Sequence, residues 1–369
     1  MKKQLLLFLA SMLPPAVAIA DAVEIDGIYY NLSSEVKQAE VTINPNDYTG
    51  DIVIPEKVTY EGSDYEVTSI GLWAFRLCSN LTSVTISNSV TSIGDAAFER
   101  TSLTSVNIPN SVTSIGESAF STSFRLTSVT IGNSVTSIGE SAFSFCLNLT
   151  SVTIGNSVTS IGNSAFWWCS SLTSVTIPNS VTSIGSNSFE HCTSLTTVSI
   201  PNSVANIEFC AFEGCSKLAC IIIPNSVTNI EDMAFGSCTS LNDVYCYAES
   251  VPNTSFMGPF DSSSIANATL HVPAVAVDAY KADSHWSGFK SIVALTDDDP
   301  KPTGIASVNI SENEDGVYYD LRGGKLLNPG RGIYIQNGKK VILKSAELFD
   351  TYRFQNEIHR ERCIRRFCP

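Results

Sequence analysis

Apolar and hydroxyl residues take turns along most of this chain. In Leu172-Thr173-Ser174-Val175-Thr176-Ile177, Val175 and Ile177 alternate with Ser and Thr, which predicts a short strand with one buried face. Pro178-Asn179 punctuates the exit from that strand, as Gly155-Asn156 does one unit earlier. Val181 and Ile184 predict a second, weaker extended edge, which Gly185 ends. A short helical or 3-10 turn is expected next, with a pair such as Ala165-Phe166 facing inward.

The same unit recurs eight times, its Ile falling at Ile70, Ile93, Ile115, Ile138, Ile161, Ile184, Ile207 and Ile230. The steps are 23 residues, except for 22 from Ile93 to Ile115. The missing residue lies between Phe98 and Leu103, where a shorter loop is expected. One unit cannot bury its own Leu, Val, Ile and Phe, but stacked units cover one another. At about 4.8 Å per unit the stack is about 40 Å long. Stacking also lines Phe75, Phe98, Phe120, Phe143, Phe166, Phe189, Phe212 and Phe235 into one aromatic column. Val84, Val106, Val129, Val152, Val175 and Val198 are expected to point inward and pair in register.

The repeated pattern Leu-x-x-Val-x-Ile-Pro-x-x-Val-x-x-Ile-Gly-x-x-Ala-Phe-x-x-Cys resembles the BspA-like leucine-rich repeats of surface proteins in Bacteroidota and spirochaetes. The resemblance covers residues 67–246. It implies a leucine-rich-repeat solenoid with a parallel sheet on the concave side and short extended and helical or 3-10 segments on the convex side. It also implies attachment to host proteins or other cells, without catalysis.

Flanking segments have their own patterns. Lys2 and Lys3, apolar Leu5 to Leu13 and the small-x-small Ala18-Ile19-Ala20 read as a secretory signal over 1–20. Residues 21–66 are expected to form an N-terminal β cap, with strands at Val23–Leu32, Glu40–Ile43 and Asp51–Ile54 and a turn at Asp26-Gly27. Beyond Cys246 the period fails, and 247–296 read as a C-terminal cap with a strand at Ala268–Pro273, a helix at Val275–Lys281, then Trp286 and Phe289 in a turn. Asp297 to Gly304 are a linker by composition. Residues 305–344 predict a small β unit, with a strand at Val317–Leu321 and a hairpin around Asn337-Gly338. Through Tyr-Asp-Leu-x-Gly, Gly-Ile-Tyr-Ile and Gly-Lys-Lys-Val this unit resembles the sorting domains of the type IX secretion system. Such domains stop near their final Lys, here Lys344, whereas this chain continues through 345–369, which are expected to be a disordered tail.

Charge narrows the function. A net charge of −14 opposes nucleic-acid binding, which rests on Lys and Arg neutralising phosphates. No stretch has the length and apolarity of a membrane span, so no membrane insertion is expected. The four His are scattered and no Cys-x-x-Cys pair exists, so neither metal nor cofactor is expected. Residues 81–241 hold nine acidic and three basic side chains, too few to argue a catalytic carboxylate pair, and the chain reads as a non-enzyme. Cys78, Cys146, Cys169, Cys192, Cys215 and Cys238 share one repeat position and read as buried thiols. Cys210, Cys220 and Cys246 break the pattern and are the better disulfide candidates.

What remains is the outward side of the strands, which carries two ladders. One is Ser83, Ser105, Ser128, Ser151, Ser174 and Thr197, and the other is Thr85, Asn107, Thr130, Thr153, Thr176 and Ser199. At the C-terminal end the chemistry changes to Cys220, Ile222, Asp243 and Tyr245, with Ile222 and Tyr245 as candidate hot spots. The expected role is a secreted or outer-surface, adhesin-like protein whose concave face engages an extracellular host-matrix or bacterial-surface protein. A glycan-binding module is the alternative, although the outward columns hold few aromatics. An ice-binding type of Ser/Thr surface is a third reading.

Overall fold

The computed structural model describes residues 22–302, together with the backbone of four short strands between residues 318 and 343. The expected signal over 1–20 and the tail over 345–369 lie outside the described residues. Two compact units divide at Gly304 and Ile305.

The first unit is a stack of coils, most of them built from a front strand, a two-residue rear strand and a turn. The front strands form parallel ladders in register. Val106 pairs with Val129, Val129 with Val152 and Val152 with Val175, and Val198 pairs with Ile221. Val106, Val129, Val152 and Val198 are buried, while Val84 and Val175 are half-buried against the same core. The rear strands pair Ser with Ser and Ile with Ile, from Ser69–Ile70 to Ser183–Ile184 and again from Asn206–Ile207. The front sheet breaks between Leu81–Thr85 and Ser105–Ile108, at the coil one residue short. A second seam, present in both sheets, falls between the coils of Val175 and Val198.

The solenoid runs beyond the eight expected units. Past Asp243–Cys246, where the expected array ends, come two more front strands: Thr269–Val272, within the strand expected at Ala268–Pro273, and Ser291–Ala294. Val244 pairs with Leu270 and Leu270 with Ile292, so register persists where the period fails. Longer connections hide the repeat from the sequence but do not interrupt the ladder.

The segments after the rear strands are successive hydrogen-bonded turns rather than the expected helical or 3-10 segments. In the first coil Ala74 N–H bonds Gly71 C=O at 3.3 Å, Arg76 N–H bonds Trp73 C=O at 3.0 Å, and Cys78 N–H bonds Phe75 C=O at 3.1 Å. Two residues per coil adopt left-handed φ, here Trp73 at 59° and Leu77 at 64°, and later Ser164 at 54° and Trp168 at 57°. A left-handed residue stops helical propagation. The intervening amides turn instead to the next coil. Trp73, Phe75 and Leu77 N–H donate to Asp95, Ala97 and Glu99 C=O at 3.1, 2.7 and 2.8 Å. This third ladder satisfies backbone groups that buried turns would otherwise leave unpaired.

Phe75 to Phe235 stack at 4.8–5.5 Å between ring centroids, all fully buried. Tyr48 closes the column at one end, 4.5 Å from Phe75, with its hydroxyl donating to Thr42 C=O. At the other end Phe260 follows Phe235, and Trp286 and Phe289 meet it edge-on. A 3-10 turn Ala274–Ala276 leads into the helix Val277–Ala282, which buries Tyr280 against Trp286.

At the N-terminus, Val23–Ile25 and Ile28–Ser33 form the hairpin around Asp26-Gly27, whose φ values are 51° and 82°. The next strand is Gln38–Val41 rather than Glu40–Ile43, because pairing with Ile28–Ser33 ends at Val41 and the chain turns at Asn44. A hairpin of Lys57–Tyr60 and Ser63–Ile70 around Glu61-Gly62 was not among the sequence expectations. In the second unit the described strands, Tyr318–Tyr319, Lys325–Leu326, Gly332–Gln336 and Lys339–Leu343, pair antiparallel, with Gln336 opposite Lys339.

Candidate functional site

The outward residues of the front strands fall into the two expected columns. Ser105, Ser128, Ser151 and Ser174 are in register, as are Asn107, Thr130 and Thr153. Thr176 lies one residue past the short strand Ser174–Val175 and is half-buried. Across the seam, Thr197 leads to Cys220, Asp243, Thr269 and Ser291, and Ser199 leads to Ile222, Tyr245, His271 and Val293. Thr85 pairs with Val53, and Ser83 with Asp51. Ser83 and Thr82 donate to the Asp51 carboxylate at 2.6 and 2.8 Å, and these two bonds hold it below the usual carboxylate range.

Beside the ladders the backbone is decorated by threonines. Thr127, Thr150 and Thr173 each donate Oγ1 to the carbonyl of the equivalent Thr one coil back, at 2.9, 3.0 and 3.3 Å. Thr113, Thr136, Thr159 and Thr182 do the same along the rear edge. Asn133 and Asn156 N–H likewise bond the side-chain oxygens of Asn110 and Asn133. These bonds fix the hydroxyls that flank the columns, and from Ser105 to Ser174 the columns themselves carry no charged residue.

The C-terminal end of this face is chemically different. Ile222 is only 9% exposed, so it offers little surface as an anchor. Tyr245 is half-buried and stacks on His271 at 4.3 Å. Burial, then the nearby Asp243 carboxylate, raises the Tyr245 phenol. His271 Nε2 lies 3.2 Å from Asp243 Oδ1, and His271 Nδ1 lies 3.9 Å from Asp299 Oδ2. The segment read as a linker by composition packs here: Tyr247 donates to Pro300 C=O at 2.9 Å, and Lys301 Nζ sits 5.6 Å over the Tyr247 ring. None of this contact was visible in the sequence, because Tyr247 and Pro300 are 53 residues apart.

The cysteine column proves to be a hydrogen-bonding device. Cys146, Cys169, Cys192 and Cys215 each direct Sγ to the Phe carbonyl of the coil before, at 3.3–3.4 Å. Ser123, the exception in the column, makes the same bond to Phe98 C=O at 3.0 Å. Cys210, Cys220 and Cys246, expected as disulfide candidates, are free thiols, as is every described cysteine. Cys246 is occupied by Tyr280, Sγ to hydroxyl 3.2 Å. Among the described residues no group of three His, Cys, Asp or Glu could hold a metal ion.

The turn edge carries an outer aromatic row that sequence reasoning missed. Phe145, Trp168 and His191 occupy one repeat position, two after the column Phe, with centroids 6.4 and 4.5 Å apart. Gly214 ends the row, because a Cβ there would lie 2.3 Å from His191 Nδ1. The repeat alignment held the signal, but only the left-handed turn shows that this position points outward. Trp168, in the middle of the row, is partly exposed.

No curated protein matches the chain. Among solved structures, a leucine rich cell surface protein from Faecalibacterium prausnitzii is 24% identical, covering 75% of this chain and 95% of that one, with a TM-score of 0.43. A leucine-rich repeat protein from Bacteroides ovatus is 21% identical, covering 74% and 100%, with a TM-score of 0.37. The T. pallidum leucine rich repeat protein is 21% identical, covering 74% and 99%, with a TM-score of 0.34. Residues 52–173 and 159–272 match the BspA type leucine rich repeat region, in six copies. With in-register parallel coils across those same residues, the chain belongs to the BspA-type leucine-rich repeat family.

Proposed function

We propose that this is a secreted or outer-surface binding protein, adhesin-like in role, which engages extracellular proteins through the outward face of its front strands. The observation that supports this reading is the pair of in-register hydroxyl columns from Ser105 to Ser174 and Asn107 to Thr153. They form an uncharged, hydroxyl-rich surface in register, suited to many weak polar contacts with a large partner. A solved relative described as a cell surface protein agrees with the proposed location. Export rests on the signal over 1–20, and surface display on the sorting-like unit over 305–344. Deleting 305–344 abolishes surface display on this reading, and unchanged display in whole-cell labelling contradicts it.

The test of binding is solid-phase capture of the full chain on extracellular-matrix proteins and on a glycan panel. A protein ligand is expected, with affinity that changes little with salt, because this face releases few counterions. Capture by glycans alone, or affinity that collapses at high salt, contradicts the proposal.

A further inference from the structure

In the coils from Gly94 to Gly185 the rear strand is followed by Gly and a polar residue: Gly94-Asp95, Gly116-Glu117, Gly139-Glu140, Gly162-Asn163 and Gly185-Ser186. The glycine is a packing requirement, because a Cβ at Gly116, Gly139, Gly162 or Gly185 would lie 2.5–2.7 Å from atoms of the coil before. The last three coils abandon this pattern. After Asn206–Ile207, Asn229–Ile230 and Asn253–Thr254 come Glu208-Phe209, Glu231-Asp232 and Ser255-Phe256-Met257. Glu208 puts a side chain where that close approach leaves no room, and both sheets break at its coil. A repeat that gives up its own packing rule without gaining burial marks a place with another use.

These residues present apolar surface between carboxylates. Phe209 is 43% exposed, Met257 49% and Phe256 95%. The residues between them tie them to one corner. Phe209 N–H donates to Glu231 Oε2 at 3.0 Å, and Cys210 N–H donates to Asp232 C=O at 3.2 Å. Met257 and Gly258 N–H donate to Asp232 Oδ1 at 2.9 and 3.0 Å. Phe209 and Met257 thus stand two rungs apart, about 10 Å, with Asp232 on the rung between. Burial, and then the Glu231 carboxylate beside it, raises the Glu208 carboxyl. Among the described residues no Lys, Arg or His forms an ion pair with Glu208, Glu231 or Asp232. Two carboxylates held together without a cation repel, and a guanidinium or ammonium brought by a partner relieves that repulsion.

We propose that this corner docks a segment of another extracellular protein that carries Arg or Lys beside large apolar side chains. Its apolar residues cover Phe209, Phe256 and Met257, and its cations sit against Glu208, Glu231 and Asp232. Exposed apolar side chains rimmed by one sign of charge suit a partner of the opposite sign. The same carboxylates oppose an anionic membrane. The corner lies at the ends of the rear strands, apart from the front columns, and stands whether or not those columns bind. Salt tells the two apart, because attraction between exposed charges is screened as salt rises.

The probe is a fluorescein-labelled peptide of alternating Arg and Leu, titrated with the full chain and read by fluorescence anisotropy. Glu-Leu and Arg-Ser peptides of equal length are its controls. Arg-Leu is expected to bind most tightly, and less so at high salt. Phe256→Ser with Met257→Ser is expected to weaken it about tenfold or more with a wild-type melt, since both side chains are exposed. Glu208→Gln with Glu231→Gln is expected to weaken it to a similar degree. Glu117→Gln with Glu140→Gln removes the same charge from this edge in earlier coils, and is expected to bind like wild type. A wild type that binds none of the peptides, or binds Arg-Ser or Glu-Leu as tightly as Arg-Leu, overturns the proposal. So do corner variants that bind like wild type, or a Glu117, Glu140 variant that loses as much as the Glu208, Glu231 variant.

Discussion

At the scale of the residue, two side-chain types hold the stack, one by area and one by hydrogen bonding. Phe166 is fully buried between Phe143 and Phe189, with centroids 5.3 and 5.2 Å away. Phe166→Ala opens a cavity that neighbouring coils cannot fill, and is expected to cost about 3–5 kcal/mol in chemical denaturation. A variant as stable as wild type contradicts the stacked column. The Cys column makes a subtler statement. Cys146 Sγ reaches Phe120 C=O at 3.3 Å, and Ser123 shows that a hydroxyl serves equally well. Cys146→Ser is therefore expected to melt close to wild type, whereas Cys146→Val loses the bond and about 1 kcal/mol. Equal melts for the two variants contradict a hydrogen-bonding role. The sequence showed these cysteines as one buried column, but not that their thiols act as donors. The lone Ser123 was the only trace of it, since Ser at a purely apolar site is costly.

At the scale of the element, strands and turns differ in how far they could be read. The front strands were legible because Val and Ile alternate with Ser and Thr, and the register then follows from one buried face. The turns were not, because their left-handed positions carry Trp73, Leu77, Phe145 and Trp168 rather than the Gly or Asn that usually announces such a backbone. Bonds to the next coil impose the conformation there, and local propensity loses. Burying thiols in these turns, and Cys246 in a front strand, has a consequence for pH. Burial pushes Cys146 and Cys238 up to about 12, and Cys246 up to about 11. In the unfolded chain a thiol ionises near about 8.5. Below that value both states hold the proton and stability is complete. Between about 8.5 and the folded values only the unfolded state releases it, so stability falls by up to about 1.4 kcal/mol per pH unit for each such thiol. Melting temperatures are expected to drop between pH 8 and pH 10.5, and Cys146→Ser to drop less. A Cys146→Ser variant that falls as steeply as wild type contradicts this origin.

At the scale of the whole molecule, the account joins a family fold to a proposed binding face. The repeat, its stacking and the absence of a charged face were legible in the sequence. The last front strand Ser291–Ala294, the Lys57–Ile70 hairpin and the docking of Pro300 on Tyr247 were not, since each depends on contacts between residues without a shared period. The candidate columns were legible as positions, while the burial of Ile222 depended on packing that no pattern encodes. Single changes such as Thr153→Ala are expected to matter little, because one neutral hydrogen bond contributes about 0.5–1.5 kcal/mol net. The most direct measurement combines a thermal melt with a binding isotherm on one variant carrying Thr130→Arg, Thr153→Arg and Thr176→Arg. These side chains sit on the outward column, away from the Phe and Leu core. The account predicts a melt like wild type and loss of binding. Retained binding with a normal melt contradicts it and moves the site to Tyr245 and the C-terminal strands.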